Sequence, residues 1–287
     1  MSQPSVALHA QPRLMQRLWA VREARIGLML TFVIGFFILF GPLMAPFSPT
    51  DINLGPANSA PGLSHLLGTD HLGRDVLSRL LWGGQTIVVL PLLGVSAAYA
   101  VALPIAMVAA YKGGLSDVLV SRAFEIMMTL PGLIVTLLLV ATFGPATKVL
   151  LAAIALASLP GAARVMRAAV LSQIGMDYIS AAQARGETTL SIVLREIAPN
   201  ILGTVSADFT LRMTWAILGL STLSFLGLGV QPPTPDWGLM IQEARNSLQS
   251  APLACLAPAT AIALLSVGLS LTGDAIAHIF VGETGGH

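Results

Sequence analysis

The sequence predicts an all-α membrane protein with six transmembrane helices, and three observations support this class. The 287 residues are 55% hydrophobic and only 10% charged, with a mean hydropathy of +0.79. Soluble domains carry about 25% charged residues, so this composition is typical of an integral membrane protein. Several uncharged runs are long enough, at about twenty residues, to cross ~30 Å of hydrocarbon as helices. The spacing of these runs along the chain predicts six spans.

The composition also excludes several kinds of chemistry. The single cysteine, Cys255, lies in an apolar run, so neither a disulfide framework nor a cysteine metal cluster is expected. The two lysines, Lys112 and Lys148, do not follow a glycine, and the sequence therefore lacks a phosphate-binding loop of the GxxxxGK[ST] type. A net charge of +1 gives no sign of a nucleic-acid partner. We expect the chain to need no cofactor and to hydrolyse no ATP itself.

The N-terminal part divides into a leader, an anchor and a loop. Residues 1–25 form a polar leader that contains four arginines. Residues 26–46 are the first uncharged run, which is longer than a signal-peptide core and lacks a favourable cleavage site, so we expect it to remain as an anchor. Residues 47–84 are rich in Pro, Gly, Asp and His and form an outer loop. Within this loop, residues 65–84 predict a separate amphipathic helix at the membrane interface, with its apolar side made by Val76, Leu77, Leu80 and Leu81.

Residues 85–280 hold the other five predicted spans, and residues 281–287 form a C-terminal tail. Pro131 and Gly132 should kink or break the third span, because proline disrupts helical hydrogen bonding. The fourth span is short and rich in alanine, as close helix packing in lipid favours. The second to sixth spans are predicted at 87–111, 126–143, 149–163, 201–230 and 251–280.

A polar stretch at residues 177–200 interrupts the apolar chain and predicts two short helices. Gly186 lies between them, where it suits the left-handed position that ends the first helix. Thr188 or Thr189 can cap the second helix, and Pro199 should close the unit. We call the two short helices the arms. In the first arm, one helical face is predicted to carry Ile174, Tyr178, Ala181 and Arg185. In the second arm, an apolar stripe is predicted at Leu190, Val193, Leu194 and Ile197.

Each arm of this stretch, which we call the bracket (residues 177–200), is too short to be stable alone in water, so it needs a surface to pack on. The pattern favours a docking element. The alternative is that its small residues serve only tight packing. With the N-terminus inside the cell, residues 1–25, 111–125 and 164–200 face the cytoplasm and hold ten of the fifteen basic residues. The positive-inside rule therefore places the bracket and both termini in the cytoplasm.

The fifth predicted span contains one acid–base pair, Asp208 and Arg212, four residues apart on one helical face. Either both side chains snorkel to the interface, or the pair faces the protein interior and lines a path. Two histidines, His65 and His71, lie on the outer loop without a suitable arrangement of carboxylates. We expect them to be solvated, and we predict no metal site.

Several motifs in the chain resemble one family. LGTDHLGRDVLSRLLWGG, Arg122 to Pro131, LSFLGLGVQPPTPDWG and the pair Gly273-Asp274 are similar to signatures of the inner-membrane permeases of ATP-binding-cassette (ABC) importers, in the dipeptide, oligopeptide and nickel group. The chain most resembles the second permease subunit type. The bracket resembles the EAA coupling motif of that family, with Ala181, Ala182, Gly186 and Pro199 at matching positions. Ser180 replaces the motif's glutamate, and Glu196 occupies a normally apolar position.

The resemblance implies an importer-permease (MetI-like) bundle in a bacterial inner membrane, with 85–280 as the core five-helix permease domain and coupling helices at 175–199. It implies a non-catalytic subunit for short peptides or a related solute such as nickel or a metal chelate. The expected partners are a homologous second permease, two cytoplasmic ATPase subunits, a periplasmic or lipid-anchored substrate-binding protein, and membrane lipid. The residues implied to couple to the ATPases are Ser180, Ala181, Ala182, Arg185, Gly186, Glu187 and Pro199.

Two other classes of membrane protein fit the sequence less well. An intramembrane enzyme finds no support, because the sequence has no HExxH, GxSxG or GxGD motif. A secondary transporter driven by an ion gradient would need ionisable residues inside the membrane, and Asp208 and Arg212 meet this need only weakly. That reading also leaves the bracket unexplained.

Overall fold

A computed structural model describes residues 22–284, and the regular elements in that part are helices. Most of the predicted leader 1–25 and the last three residues of the tail 281–287 lie outside the described residues. The helices are α1 (Arg22–Met44), α2 (Val76–Lys112), α3 (Gly114–Met128), α4 (Gly132–Phe143), α5 (Thr147–Ile174), α6 (Asp177–Ala184), α7 (Thr189–Ser191), a π-helical turn (Ile192–Ile197), α8 (Ala198–Phe225), α9 (Trp237–Ala244), a 3₁₀ turn (Arg245–Ser247) and α10 (Pro252–Thr284). The all-α class predicted from the sequence is confirmed.

Four of the described helices, α1, α2, α5 and α10, are long and apolar enough to cross a membrane, and the bent pair α3–α4 makes a fifth candidate. The remaining predicted span corresponds to α8, which has 28 residues. Its length suffices, but Asp208, Arg212 and several hydroxyl side chains make it less apolar than the others. The chain is therefore a multi-pass helical membrane protein, and α8 is the predicted span that is not among these five apolar candidates.

The third predicted span is broken where the sequence indicated. α3 and α4 meet at an angle of 73° across residues 129–131. Pro131 immediately precedes α4 with φ −57°, a value that its ring imposes and that suits the start of a helix. The structure differs from the prediction in length, because α3 already begins at Gly114 rather than near residue 126.

The outer loop does not contain the separate interfacial helix that the sequence predicted. The helix begins at Val76, capped by the Asp75 carboxylate, and continues without interruption to Lys112. The junction at Gly83 and Gly84 stays helical because the Trp237 ring packs against it, and a Cβ at either glycine would lie 3.0 or 2.9 Å from that ring. Trp237 Nε1 also donates to the Leu80 carbonyl oxygen at 2.7 Å.

The outer end of α2 is held by a buried ion cluster, which we call the outer cluster (Asp70, Arg74, Arg79, Glu243). Arg79 Nη1 contacts Asp70 Oδ2 at 2.6 Å and Glu243 Oε2 at 2.7 Å. Arg74 bridges the same two carboxylates. Burial alone would raise the pKa of Asp70, but a backbone hydrogen bond from Arg74 and the charges of Arg79 and Arg74 hold that pKa below its usual value. The cluster ties the loop before α2 to α9.

The helices approach one another closely at small residues. α2 packs along α5, where a Cβ on Gly94 would lie 2.7 Å from the Ile154 side chain. α1 packs along α10 in the same way, since a Cβ on Gly27 would lie 2.8 Å from Leu271. Because lipid tails are as apolar as the helix surfaces, close van der Waals packing at such residues supplies much of the association energy. The bundle thereby brings the C-terminal ends of α2 and α5 together beneath the bracket.

Candidate functional site

The first arm of the bracket is α6, and it ends as the sequence predicted. Gly186 has φ +76°, the left-handed conformation that glycine adopts without steric cost. The Arg185 N–H donates to the Ala181 carbonyl oxygen at 3.0 Å, and the Gly186 N–H donates to that of Gln183 at 2.9 Å, so the last carbonyls of the arm are paired. The chain then turns, and the Thr188 side chain accepts from the Ser191 N–H to cap the second arm.

The second arm differs from its prediction in two respects. Val193 and Ile197 are buried as expected, but Leu190 and Leu194 are 59% and 56% exposed. The predicted apolar stripe assumed an α-helical period throughout, whereas residues 192–197 form a π-helical turn. Its wider i→i+5 bonding rotates the side chains before the turn relative to those after it.

Pro199 does not close the bracket. It lies in the first turn of α8, and the chain is helical from Thr189 to Phe225. Inside a continuous helix a proline removes one backbone hydrogen bond, and a π-helical turn immediately precedes Pro199. The π-helical turn ends with the Ala198 N–H donating to the Val193 carbonyl oxygen. The bracket therefore continues directly into α8.

Both arms pack against the ends of two long helices. Ile179 and Ala182 of α6 are fully buried, as is Ile197 of the second arm. Their apolar cluster includes residues from α2 and α5, so the bracket rests on the C-terminal ends of these two helices. The members of this cluster are Met107, Ala110, Ala169, Val170, Ile179, Ala182, Ile192, Val193, Ile197 and Ile201.

Polar contacts join the two arms across the turn. Arg185 Nη2 donates to Glu187 Oε1 at 2.7 Å and to Glu196 Oε1 at 3.2 Å. The Ser191 hydroxyl donates to the other oxygen of Glu187 at 2.9 Å. The hydrogen bonds from Arg185 and then Ser191 hold the pKa of Glu187 below its usual value. Glu196, which departs from the apolar residue of the family motif, thus serves as a partner for Arg185.

The outward face of the bracket combines polar, small and apolar side chains. Ser180, Ala181 and Arg185 are exposed on the first arm, and Leu190 and Leu194 are exposed on the second. Ala182 faces the bundle instead, so the predicted coupling residues divide between an inner and an outer face.

The second predicted feature is the acid–base pair of α8, which the structure brings together. Arg212 Nε donates to Asp208 Oδ2 at 2.7 Å and Nη2 donates to Oδ1 at 3.1 Å. The Tyr99 hydroxyl of α2 donates to the same Oδ2 at 2.5 Å. The side chains of Arg212 and Asp208 are only 19% and 14% exposed within the chain. Each charge is therefore compensated inside the bundle.

Two residues of α5 shape the position of Arg212, and sequence reasoning missed both. Arg212 Nη1 lies 3.4 Å from the Ser158 carbonyl oxygen. A Cβ on Gly161 would lie 2.6 Å from that Nη1 atom, so the guanidinium passes over a glycine. Tyr99 was also missed. A tyrosine and a Pro-Gly step inside otherwise apolar spans were the available signals, but nothing local linked them to Arg212.

The two outer-loop histidines lie in different environments, and the structure corrects one prediction. His65 is not solvated, since Nδ1 lies 2.9 Å from Asp75 Oδ1 and its side chain is 11% exposed. His71 is exposed and its ring lies near the carboxylates of Asp70 and Glu243. Those carboxylates are already paired with the two arginines of the outer cluster, whose positive charge disfavours a cation. The arrangement argues against metal binding there.

Comparison with known proteins places this geometry in a family. Residues 102–283 match the family described as the inner membrane component of binding-protein-dependent transport systems. The chain is 34% identical over 261 residues to the dipeptide transport system permease protein DppC of Haemophilus influenzae, covering 89% of this chain and 88% of that protein. It is 35% identical over 256 residues to the di/tripeptide transport system permease protein DppC of Pseudomonas aeruginosa, covering 87% and 84%.

More distant similarities agree with these matches. The glutathione transport system permease protein GsiD of Escherichia coli is 33% identical over 239 residues, covering 83% of this chain and 79% of that protein. A solved structure of the MetNI methionine ABC transporter in an inward-facing conformation contains a chain similar in fold, with a TM-score of 0.58 and 15% identity. The similarity covers 70% of this chain and 96% of that one, which supports the MetI-like bundle. The chain belongs to the family of inner membrane components of binding-protein-dependent transport systems.

Proposed function

We propose that the chain is the transmembrane permease subunit of an ATP-driven ABC importer of short peptides. The observation that carries this proposal is a folded bracket with an exposed outer face, seated on the ends of α2 and α5 and continuous with α8. A force applied to such a bracket reaches the transmembrane helices directly. Relatives named for dipeptide, di/tripeptide and glutathione transport favour a peptide over nickel or a metal chelate.

In this proposal the chain works only in an assembly. A homologous second permease completes the path, two cytoplasmic ATPase subunits dock on the two brackets, and a periplasmic or lipid-anchored substrate-binding protein delivers the solute. The chain itself is non-catalytic and holds no cofactor, because ATP is bound by the partner subunits. Closure of the ATPases moves the brackets together and rocks the bundles between inward- and outward-facing states, as in other alternating-access transporters.

Purification in mild detergent through a tag on this chain tests the assembly. We expect an ATPase with Walker motifs to copurify in stoichiometric amount, together with a second permease. A chain that purifies without any ATPase, yet catalyses uptake that an ion-gradient uncoupler abolishes, would instead establish the ion-gradient-driven secondary transporter.

A substitution at Gly186 tests the coupling role. Gly186→Val should reduce uptake and substrate-stimulated ATPase activity several-fold while leaving membrane insertion intact. A β-branched residue at φ +76° is strained by about 1–2 kcal/mol, which lowers the population of the correctly shaped bracket by a factor of about 5–30. Apart from the adjoining residues, the described part of the chain has no atom within 4 Å of the added Cβ, so the effect comes from conformation and not from a clash.

The matched control for this substitution is Gly175→Val. Gly175 follows α5 close to the bracket and also has open space around it, but its φ is −82°, which any residue adopts. We expect uptake by this variant to stay near the wild-type level. Equal uptake by both variants would show that the left-handed turn is not needed for coupling.

The proposed orientation can be tested by labelling with an impermeant maleimide in a Cys255→Ala background. Leu63→Cys, on a fully exposed part of the outer loop, should react in intact spheroplasts. Arg185→Cys should react only after the membrane is permeabilised. With six spans, this labelling pattern corresponds to two cytoplasmic termini in the proposed location, the bacterial inner membrane. Reaction of Arg185→Cys in intact spheroplasts would reverse this topology.

A further inference from the structure

A cavity of about 440 Å³ lies beside the ion pair, between α4, α5 and α8, and we call it the Arg212 cavity. Its volume lies within the range of small-molecule sites, which are mostly apolar with a few convergent polar groups. Its wall is formed mainly by apolar side chains, including Ile154, Leu133 and Leu218. Arg212 is the one charged side chain among its lining residues.

The guanidinium of Arg212 has unused hydrogen-bonding capacity toward this cavity. An arginine carries five N–H donors. Nε and Nη2 each donate once to Asp208, and Nη1 makes one long contact with the Ser158 carbonyl oxygen. Two N–H groups therefore have no acceptor within the described residues. Arginine is suited to carboxylates because two of its N–H groups can bond both oxygens at once.

The acidic partner of the pair, Asp208, contributes no charge to the cavity wall. Asp208 does not line the cavity, and its oxygens already accept from Arg212 and from the Tyr99 hydroxyl. The cavity consequently offers a solute the remaining N–H donors of the guanidinium and an apolar wall, with no carboxylate among its lining residues. That combination selects an anion that also carries an apolar group.

The depth of Arg212 supports a functional role. It lies near the middle of the 28-residue α8, about 20 Å from either end of the helix. Ionisable residues at such depth are costly, and they commonly mark solute pathways. The guanidinium fits against Gly161 because this residue has no side chain, and a Cβ there would collide with it.

We propose that the Arg212 cavity is a solute-binding site of the transport path, which takes the C-terminal carboxylate of a short apolar peptide on Arg212 and its last side chain on the apolar wall. This inference rests on the proposed peptide-importer function and assigns its substrate chemistry to this chain. Tyr99 and Asp208 position the guanidinium, and Trp215, which lines the cavity and is 74% exposed in the chain, provides an intrinsic reporter.

The test uses the copurified permease–ATPase complex in nanodiscs, washed free of the soluble binding protein. The probes are the dipeptide Leu-Leu and its C-terminal amide, followed by radioligand binding and by Trp215 fluorescence, with Trp215→Phe giving the background. We expect Leu-Leu to bind with saturation and to change the Trp215 signal. The amide should bind roughly tenfold more weakly or worse, as loss of a charge-assisted hydrogen bond predicts.

Three variants separate binding from folding. Arg212→Gln should bind Leu-Leu at least about tenfold more weakly. Asp208→Asn with Arg212→Gln should lose as much affinity while leaving no unpaired charge. Gly161→Ala should also weaken binding, since it displaces the guanidinium without changing any charge. Arg122→Gln, which alters an exposed arginine outside the cavity, is the matched control and should bind as the wild type does.

Equal affinity for Leu-Leu and its amide would overturn the inference, and this is the result expected if a carboxylate of a partner subunit occupies Arg212. Full affinity in a folded Arg212→Gln complex would overturn it as well. A complex that imports peptide but shows neither saturable binding nor a change in Trp215 fluorescence would also overturn the inference. The proposed importer function would remain supported in that case. Only failure of the ATPase to copurify would count against the proposed function itself.

Discussion

Replacing Arg79 by alanine should lower the free energy of unfolding by about 3 kcal/mol, the lower end of the range for breaking a buried ion pair. The Arg79 side chain is 2% exposed and its Nη1 atom bonds both Asp70 and Glu243. Without it, two buried carboxylates share Arg74 alone. Nε and Nη2 of Arg79 lack hydrogen-bond partners in the described part of the chain, so the intact cluster already bears a desolvation cost.

The measurement is thermal unfolding of the detergent-solubilised protein, for which we expect a clear drop in Tm. Arg122→Ala is the control, because Arg122 and Glu125 form an exposed pair with side chains 75% and 58% accessible. Exposed pairs are worth less than about 1 kcal/mol, so this variant should melt close to the wild type. If Arg79→Ala had the same Tm as Arg122→Ala, the outer cluster would not be stabilising the connection between α2 and α9.

The second large effect concerns the pair Asp208 and Arg212. Arg212→Ala alone should lower the thermal stability of the complex more than Asp208→Ala and Arg212→Ala combined. The single change leaves a carboxylate in a largely buried site with only the Tyr99 hydroxyl as donor. An uncompensated charge at mid-membrane costs on the order of 2.5–3.5 kcal/mol on insertion scales.

A double-mutant cycle on unfolding in detergent measures this coupling. For directly bonded partners we expect an interaction energy of about 1–3 kcal/mol. The corresponding cycle on Arg122 and Glu125, an exposed pair three residues apart, should give a value near zero. Coupling of Asp208 and Arg212 indistinguishable from that control would mean that they behave as two independent, solvated charges.

Much of the candidate site followed from local sequence features. The left-handed turn at Gly186, the cap at Thr188 and the break at Pro131 each depend on the backbone preferences of one or two residues. Asp208 and Arg212 meet because four residues in a helix bring side chains to the same face. Such features need no knowledge of distant contacts, and a single sequence is enough to predict them.

The fold class could be predicted for a related reason. In lipid the backbone must satisfy its own hydrogen bonds, so a chain this apolar has few structural options besides helices. Composition and the length of the uncharged runs therefore decided the all-α architecture and the approximate position of most of the long apolar helices. The motifs around them were sufficient to suggest the family.

Contacts between distant segments, together with one local change of helical period, decided the features that the sequence did not predict. α2 continues through Gly83 and Gly84 because Trp237 packs there, and no local pattern at that step predicts it. Leu190 and Leu194 turned outward because the π-helical turn before Pro199 changes the helical period. Arg79 is buried rather than interfacial because Glu243, 164 residues away, is brought beside it. Packing of this kind depends on how whole helices fit together, and the residues next to a position in sequence do not predict it.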